Sequence, residues 1–344
     1  MCHVAFAAPR RMWFLLLLFS ICSLSIVSCS SPVSTTSTPE QTSVSVQFSW
    51  IHEYSSVAFY AAEQNKRFAN QNIDIELKAG GYVADGYISP IDEVLNGTVD
   101  FGITSASDIL LARAAGKPVV SIATIFQRSP FAIISLEKSG IKQPKQLIDK
   151  RITSNDATSD QLLKSFLMLQ NMNAEDISIV PRTSYGIEQL VNDEVDAMTA
   201  WVINEGVLLE EANADYNVML LSDYGVESYE LTIFTTEKTI AERPDLVRRF
   251  LTATFQGMQD AINDPDKAVD FIMLYNDQLD RDGQRRRLHA TLPLLNPPGT
   301  QLGHMDPEVW RFTHQIVSQL EPSVLTLNPE QAYTNSFHDQ SIAK

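Results

Sequence analysis

The sequence predicts an α/β protein built as two lobes. Apolar segments of strand length alternate with helical segments in two successive series between Val44 and Val202. About three hundred residues follow a Ser/Thr-rich stretch that ends near Ser43, enough for two lobes or one large domain. Past Asp223-Tyr224-Gly225 the pattern turns mainly helical, and those helices need a sheet surface to pack on.

The first series opens with Val44, Val46 and Phe48 alternating with polar residues, a strand. Phe59 to Phe68 reads as a helix with Lys66 and Arg67 outward, and Ile73 to Leu77 as a second strand ended by Gly80-Gly81. Pro90 to Leu95 is a helix stopped by Gly97, and Val99 to Ile103 is a short buried strand. Ser105 to Ala115 is helical, Gly116-Lys117-Pro118 turns, and Val119 to Ile125 is a β-branched strand. This spacing predicts parallel β-α-β units.

In the second series strands are predicted at Ala132–Leu136, Arg151–Ser154, Ile177–Val180 and Ala197–Val202. The helices between them are a short one at Gln143–Leu147, an amphipathic one at Leu162–Leu169 and one at Ile187–Val191. Then come a strand at Leu231–Thr235 and helices at Pro244–Ile262, Asp266–Leu274 and Pro307–Leu320, with Pro244 and Pro307 in the first turn that proline tolerates.

At the other end, Arg10 and Arg11 precede an apolar run from Met12 to Leu18 that continues loosely to Val27, the pattern of an export signal. Ile26-Val27-Ser28-Cys29 resembles the bacterial lipobox, which predicts a signal peptide over 1–28 and a diacylated Cys29. A plain membrane anchor is the competing reading, because the run approaches spanning length. Residues 29–43 read as a flexible tether. The three cysteines are Cys2, Cys22 and Cys29, so the region after Cys29 holds no thiol. That excludes a disulfide scaffold, a cysteine nucleophile and a cysteine-ligated metal there. The formal charge of −16, about −18 once Arg10 and Arg11 are removed, argues against nucleic acid as a partner.

Several local patterns now align with a known family. They are Trp50 with Phe59-Tyr60-Ala61, Gly80-Gly81, Val94-Leu95-Asn96-Gly97 with Val99-Asp100-Phe101-Gly102, and Leu111 to Val120. Ile141 to Lys150, Val195-Asp196-Ala197 and the Pro244 helix continue the series. From about Val44 to about Asp270 the chain resembles the periplasmic-binding-protein superfamily, in its SsuA/THI5-like (NMT1/THI5-like) branch of sulfonate, nitrate and thiamin-pyrimidine binders. The resemblance implies the type II fold of that superfamily, two lobes with a ligand cleft between them. Lobe one would comprise 44–130 plus 225–344, and lobe two 131–224. It also implies a monomer that delivers its ligand to separate ABC permease and ATPase chains, at the outer face of a bacterial cell membrane to which the lipid holds it.

Ligands of parallel α/β lobes sit at the carboxyl ends of strands. That rule selects Trp50, Glu53 and Tyr54 after the first strand, and Tyr82, Asp85 and Tyr87 after the second. It further selects Ser105 and Asp108 after the third, and Asp156, Thr158, Tyr185, Trp201, Asn204 and Glu205 in lobe two. Trp50 and Trp201 fall at strand ends in opposite lobes and suit a flat conjugated ring, each stacked aromatic pair adding roughly 0.5–1.5 kcal/mol beyond its buried area. The tyrosines extend that wall, and the acids and Asn204 could read ring N–H or hydroxyl groups. Core packing is the plain alternative for either tryptophan, and N-capping for Ser105 and Thr158. Trp310 is expected in the core, Asp196 at a helix–strand junction, Arg285-Arg286-Arg287 on a solvated helix face, and the histidines at the surface rather than on a metal.

Three functions follow. The first is a binder of a planar heterocycle, with riboflavin favoured over a formylaminopyrimidine, because "WIHEYSS" and the Tyr82–Tyr87 pair look like the riboflavin-binding members. The second is the pyrimidine-synthase activity of THI5-like relatives. Those enzymes carry a histidine in a stretch that reads Ser56-Val57-Ala58-Phe59-Tyr60 here, and a cysteine-rich iron motif that is missing after Cys29. The third is a sulfonate, nitrate or taurine binder, which needs a small anion pocket. A transport component with no catalytic residue, cofactor or metal is the expectation.

Overall fold

The apolar alternation that opens the folded region places β1 (Thr42–Gln47) inside a sheet, with Val44 and Val46 buried. The computed structural model describes residues 41–84, 86–154, 157–184 and 186–338, apart from the side chains of 157 and 158. Cys29 and the expected signal peptide and tether lie outside them, except for residues 41–43. After β1 come α1 (Val57–Gln64), α2 (Arg67–Asn70), β2 (Ile73–Lys78), the hairpin β3 (Gly81–Val83) and β4 (Gly86–Ile88), and α3 (Pro90–Leu95). Then follow β5 (Phe101–Thr104), α4 (Ala106–Ala114) and β6 (Val119–Thr124). Residues 125–130 lead to a second group: β7 (Phe131–Leu136), β8 (Arg151–Ser154), α5 (Ala157–Leu169), β9 (Ser178–Pro181), α6 (Glu188–Val191), β10 (Ala197–Trp201), α7 (Val207–Glu211) and β11 (Tyr216–Leu220). The chain returns through β12 (Thr232–Thr236), α8 (Glu237–Glu242), α9 (Pro244–Asn263), α10 (Pro265–Tyr275), α11 (Arg281–Leu295) and α12 (Pro307–Leu320).

The strands form two five-stranded sheets, ordered β2-β1-β5-β12-β6 and β11-β7-β10-β8-β9. The sequence suggested parallel units throughout, but both sheets are mixed. β1 is parallel to β2 and β5, whereas β12 is antiparallel to β5 and β6, with Thr232 opposite both Thr104 and Thr124. The reason is where the chain re-enters. It comes back from the second sheet at the end where β5 and β6 finish, so β12 runs against them. In the second sheet β8 is parallel to β9 and β10, and β7 is antiparallel to β10 and β11. Residues 125–130 carry the chain from β6 in the first sheet to β7 in the second.

Each face of the first sheet has its own cover. On one side α1, α9 and α10 bury Phe59, Phe68 and Phe250, and the Phe101 and Phe250 rings stack at 3.9 Å and 4°. α1 meets α9 through Ala58 and Ala62 on one helix and Gly257 on the other. A Cβ at Gly257 would lie 2.2 Å from the Ala58 carbonyl oxygen. On the other side α3, α4 and α12 surround Trp310, a core residue as expected, which stacks on Tyr333 at 5.0 Å and 7°. The outer edge of β6 is closed by the chain's own later segments. Ser121 N–H donates to Ala332 O at 2.9 Å, Thr334 N–H to Ser121 O at 2.9 Å, and Thr124 N–H to Gly303 O at 3.1 Å.

Two late helices also reach the second sheet. Ile316 and Phe312 of α12 join the core formed by α5, β7 and β8. Arg286 of α11 pairs with Glu211 of α7 at 2.7 Å. The arginine run is therefore not a purely solvated face: Arg285 lies 3.5 Å from Asp266, and the Arg287 side chain is mostly covered near Glu211. Among the described residues no helix is long and apolar enough to cross a membrane.

The α1–α9 contact has no slack for an added methyl group. Gly257→Ala is expected to cost about 1–3 kcal/mol by overpacking, read as a lower thermal midpoint; an unchanged midpoint would contradict this contact.

Candidate functional site

The carboxyl ends of β1 and β2 are clasped together before any functional side chain is placed. Buried Gln47 donates its amide to the Phe48, Lys78 and Ala79 carbonyls at 3.1, 3.4 and 2.8 Å. Gly80 donates its N–H to Trp50 O at 2.8 Å. A Cβ on Gly80 would fall 2.0 Å from the Phe48 carbonyl oxygen, so only glycine fits. Gly81 has φ +94°, in the region glycine favours, and lies against the Trp50 ring. The Gly80-Gly81 pair thus brings the loop after β1 onto the β3–β4 hairpin.

That hairpin pairs Tyr82 with Tyr87 across its strands, their ring centroids 5.3 Å apart. Trp50 meets Tyr82 edge to face at 6.3 Å and 83°. The Tyr87 hydroxyl donates to Ser49 O at 3.0 Å. The three rings are 41 %, 69 % and 45 % exposed for Trp50, Tyr82 and Tyr87, so they form an open aromatic platform rather than core. Beside it, Ser105 caps α4 by accepting from Asp108 N–H, as its position at a helix start suggested. The exposed Asp108 carboxylate accepts from the Thr104 hydroxyl at 2.6 Å. Burial, with Asp108 and Tyr82 close by, pushes the Tyr87 phenol up to about 12.

Tyr54 is not part of that wall. It is fully buried, takes Gln284 Oε1 of α11 on its backbone N–H at 2.9 Å, and donates its hydroxyl to Asn204 Oδ1 at 2.8 Å. Tyr54 and Asn204, both expected to meet ligand, meet each other and join the two sheets. Glu53 lies next to this joint, accepting from the Ser55 hydroxyl at 3.0 Å. Burial pushes its carboxyl up to about 7, with the Ser55 bond and nearby Arg287 pulling the other way.

In the second sheet Trp201 is partly buried, packed edge-on against Phe126 at 6.1 Å and 76°. Its ring borders the main cores of both sheets. It therefore lies at the floor where the chain crosses between sheets, not on a free opposite jaw. Glu205 is buried as well. Its carboxylate takes Arg182 Nη2 at 2.8 Å and the Trp201 backbone N–H at 2.9 Å, so both oxygens are engaged within the protein, where the sequence suggested an acceptor open to ligand. Asp85, Asp156 and Tyr185 lie outside the described residues, as does the side chain of Thr158 in the first turn of α5.

No pattern in the sequence singles out Arg182, Gln284 or Gln47. A polar residue at the end of a half-buried strand is the signal that would have found Gln47, whereas Arg182 follows the mostly exposed edge strand β9 and carries no such signal. Asp196 is the junction residue expected, bound to Arg151 N–H at 2.8 Å. Two histidines are less exposed than expected: His52 is half-buried with Nδ1 3.0 Å from the Tyr60 hydroxyl, and His338 is buried with Nε2 2.8 Å from Leu302 O. Among the described residues no group of three His, Cys, Asp or Glu could hold a metal ion.

Comparison with known proteins places this geometry. The family model described as NMT1/THI5 like matches residues 54–268. The riboflavin-binding protein RibY of Chloroflexus aurantiacus is 24 % identical, over 91 % of this chain and 94 % of its own length. The formylaminopyrimidine-binding protein of Halalkalibacterium halodurans is 22 % identical, over 81 % and 84 %. A 4-amino-5-hydroxymethyl-2-methylpyrimidine phosphate synthase of Legionella pneumophila is 23 % identical, over 72 % and 79 %. Among solved structures, the periplasmic aliphatic sulphonate binding protein SsuA of Escherichia coli superposes with a TM-score of 0.66 at 14 % identity, over 87 % of this chain and 99 % of that one. The fold is that of the periplasmic binding proteins.

The raised Glu53 carboxyl gives a pH test. In the folded chain it holds its proton up to about 7, against 4.5 in the ordinary group, so its ionisation costs stability as pH rises through that window. Glu53→Gln is expected to be more stable than the parent by about 2 kcal/mol at pH 8, and equal to it at pH 4. Denaturant unfolding at the two pH values checks this; an equal difference at both would remove the buried acid as its cause.

Proposed function

We propose that this chain, which belongs to the NMT1/THI5-like family, is the solute-binding component of an ABC importer and captures a planar heterocyclic nutrient between its two sheets. The observation that carries the reading is the exposed Trp50–Tyr82–Tyr87 platform at the carboxyl ends of β1 and β2. Open aromatic faces at this place suit a flat conjugated ring, which gains from stacking as well as from burial. The relatives named for riboflavin and formylaminopyrimidine binding support the same ligand class. Riboflavin is favoured, because three rings and Trp201 offer more stacking surface than one pyrimidine uses.

The carboxyls near the crevice weigh against a sulfonate or nitrate. Glu53 and Asp108 lie beside the aromatic platform, and among the described residues no cation is bonded to either, while Arg182 is engaged by buried Glu205. The synthase reading is disfavoured by Ser56 at the position of the relatives' histidine and by the lack of any cysteine after Cys29. In this reading 44–130 plus 225–344 and 131–224 act as two lobes that close on the ligand. A monomer anchored through Cys29 outside the cytoplasmic membrane then hands it to separate permease and ATPase chains.

Fluorescence titration of the purified chain against riboflavin, formylaminopyrimidine and taurine tests this. Riboflavin is expected to quench tryptophan emission at micromolar or lower concentration. Tyr82→Ala, at an exposed ring, is expected to weaken binding about tenfold, about 1.4 kcal/mol, with the thermal midpoint unchanged. Binding of taurine alone, or turnover of a pyrimidine precursor, would overturn the proposal.

A further inference from the structure

Arg182, just past the end of β9, is buried and held by a wide set of bonds. Its side chain and that of Glu205 are 5 % and 8 % exposed. Nε donates to Ser184 O at 2.7 Å, Nη1 to Thr199 O at 3.1 Å, and Nη2 to Gly186 O at 3.2 Å and to Glu205 Oε1 at 2.8 Å. The second Glu205 oxygen accepts the Trp201 backbone N–H at 2.9 Å. One guanidinium therefore joins the loop after β9 to the turn after β10.

The sheet order shows how far that reach is. β8 lies between β10 and β9, so the two ends being joined are two strand spacings apart, roughly 9–10 Å. Arg182 crosses the carboxyl end of β8, where a ligand of this fold has its second-sheet contacts. The turn it holds, Val202–Gly206, is π-helical, a wide turn that occurs mostly where a particular side chain must be placed. The same turn carries Asn204, which accepts the Tyr54 hydroxyl from the first sheet at 2.8 Å.

We infer that Arg182 is a positioning residue for ligand capture. It fixes the Trp201 floor and the backbone at Ser184 and Gly186 at one separation, and through the turn that carries Asn204 it fixes the joint to Tyr54. Ring acceptance and the lifetime of the closed complex then both depend on it. Lysine cannot replace it, because a single ammonium does not span three carbonyls and a carboxylate in the geometry of a planar fork. The inference rests on the binding function proposed above.

The test uses the full chain labelled with 5-fluorotryptophan, its four resonances assigned with Trp13→Phe, Trp50→Phe and Trp201→Phe. Without ligand, Arg182→Lys is expected to shift or broaden the Trp201 resonance and leave those of Trp50 and Trp310 in place, with the thermal midpoint within a few degrees of the parent. With whichever of riboflavin or formylaminopyrimidine the parent binds, stopped-flow is expected to show dissociation at least tenfold faster and association within about twofold, a split that a general loss of stability would not give. A folded Arg182→Lys chain with the parental Trp201 resonance and dissociation rate overturns the inference. If Arg182→Lys does not fold, Glu205→Gln, which keeps the shape and removes the charge, is judged by the same two readouts. If the parent binds neither heterocycle, the binding function fails, while the ligand-free fluorine spectra still decide the role of Arg182.

Discussion

A tyrosine with no exposed surface joins the two halves of this molecule. Tyr54 gives its backbone N–H to α11 and its hydroxyl to Asn204, in the turn that ends β10. A buried hydroxyl that loses its partner costs about 1–3 kcal/mol, so the sheets part at this point only if water or another acceptor replaces Asn204. Much of the site geometry follows from that bond. It sets where the turn lies, the turn sets where Trp201 enters the floor, and α11 on the other side brings Arg287 toward Glu53. Under the lobe closure proposed above, opening exchanges the Tyr54–Asn204 bond for another partner.

Much of this architecture was legible in the sequence because it rests on local patterns. Val44 and Val46 alternate, Pro244 and Pro307 start helices, and Gly97 takes φ +73° where the α3 segment ends. The hairpin of β3 and β4 is not legible as strands, since three-residue strands lack a period, although Tyr82 and Tyr87 stand out as a pair in the sequence. β11 went unseen because Tyr216 to Leu220 is only partly buried and shows no clean alternation. The direction of β12 depends on where a distant segment returns, which no local pattern encodes.

The site was legible in its residues and less so in their roles. Position at a strand end finds side chains near a crevice, but it does not say which way they point. Trp50, Tyr82 and Tyr87 point out. Tyr54 and Glu205 point in, because each has a partner far away in sequence, Asn204 and Gln284 for one and Arg182 for the other. A buried carboxylate without a cation is costly enough that Glu205 in an apolar turn implies a partner, but nothing local says that it is Arg182 rather than a ligand. The acids of this chain therefore divide into a solvated majority and a few that hold the site together.

The edge of β6 has a practical consequence. Strand edges with free N–H and carbonyl groups recruit other chains, and natural proteins cover or interrupt them. Here the cover is the chain's own tail, through Gly303, Ala332 and Thr334. Cutting the chain before Ala332, or fusing a rigid partner close behind it, would bare a row of unpaired backbone groups beside Ser121 and leave Trp310 without the Tyr333 ring. Expression designs that trim this end for convenience would leave a sticky sheet edge, whereas a flexible extension after Lys344 keeps Gly303, Ala332 and Thr334 in the chain.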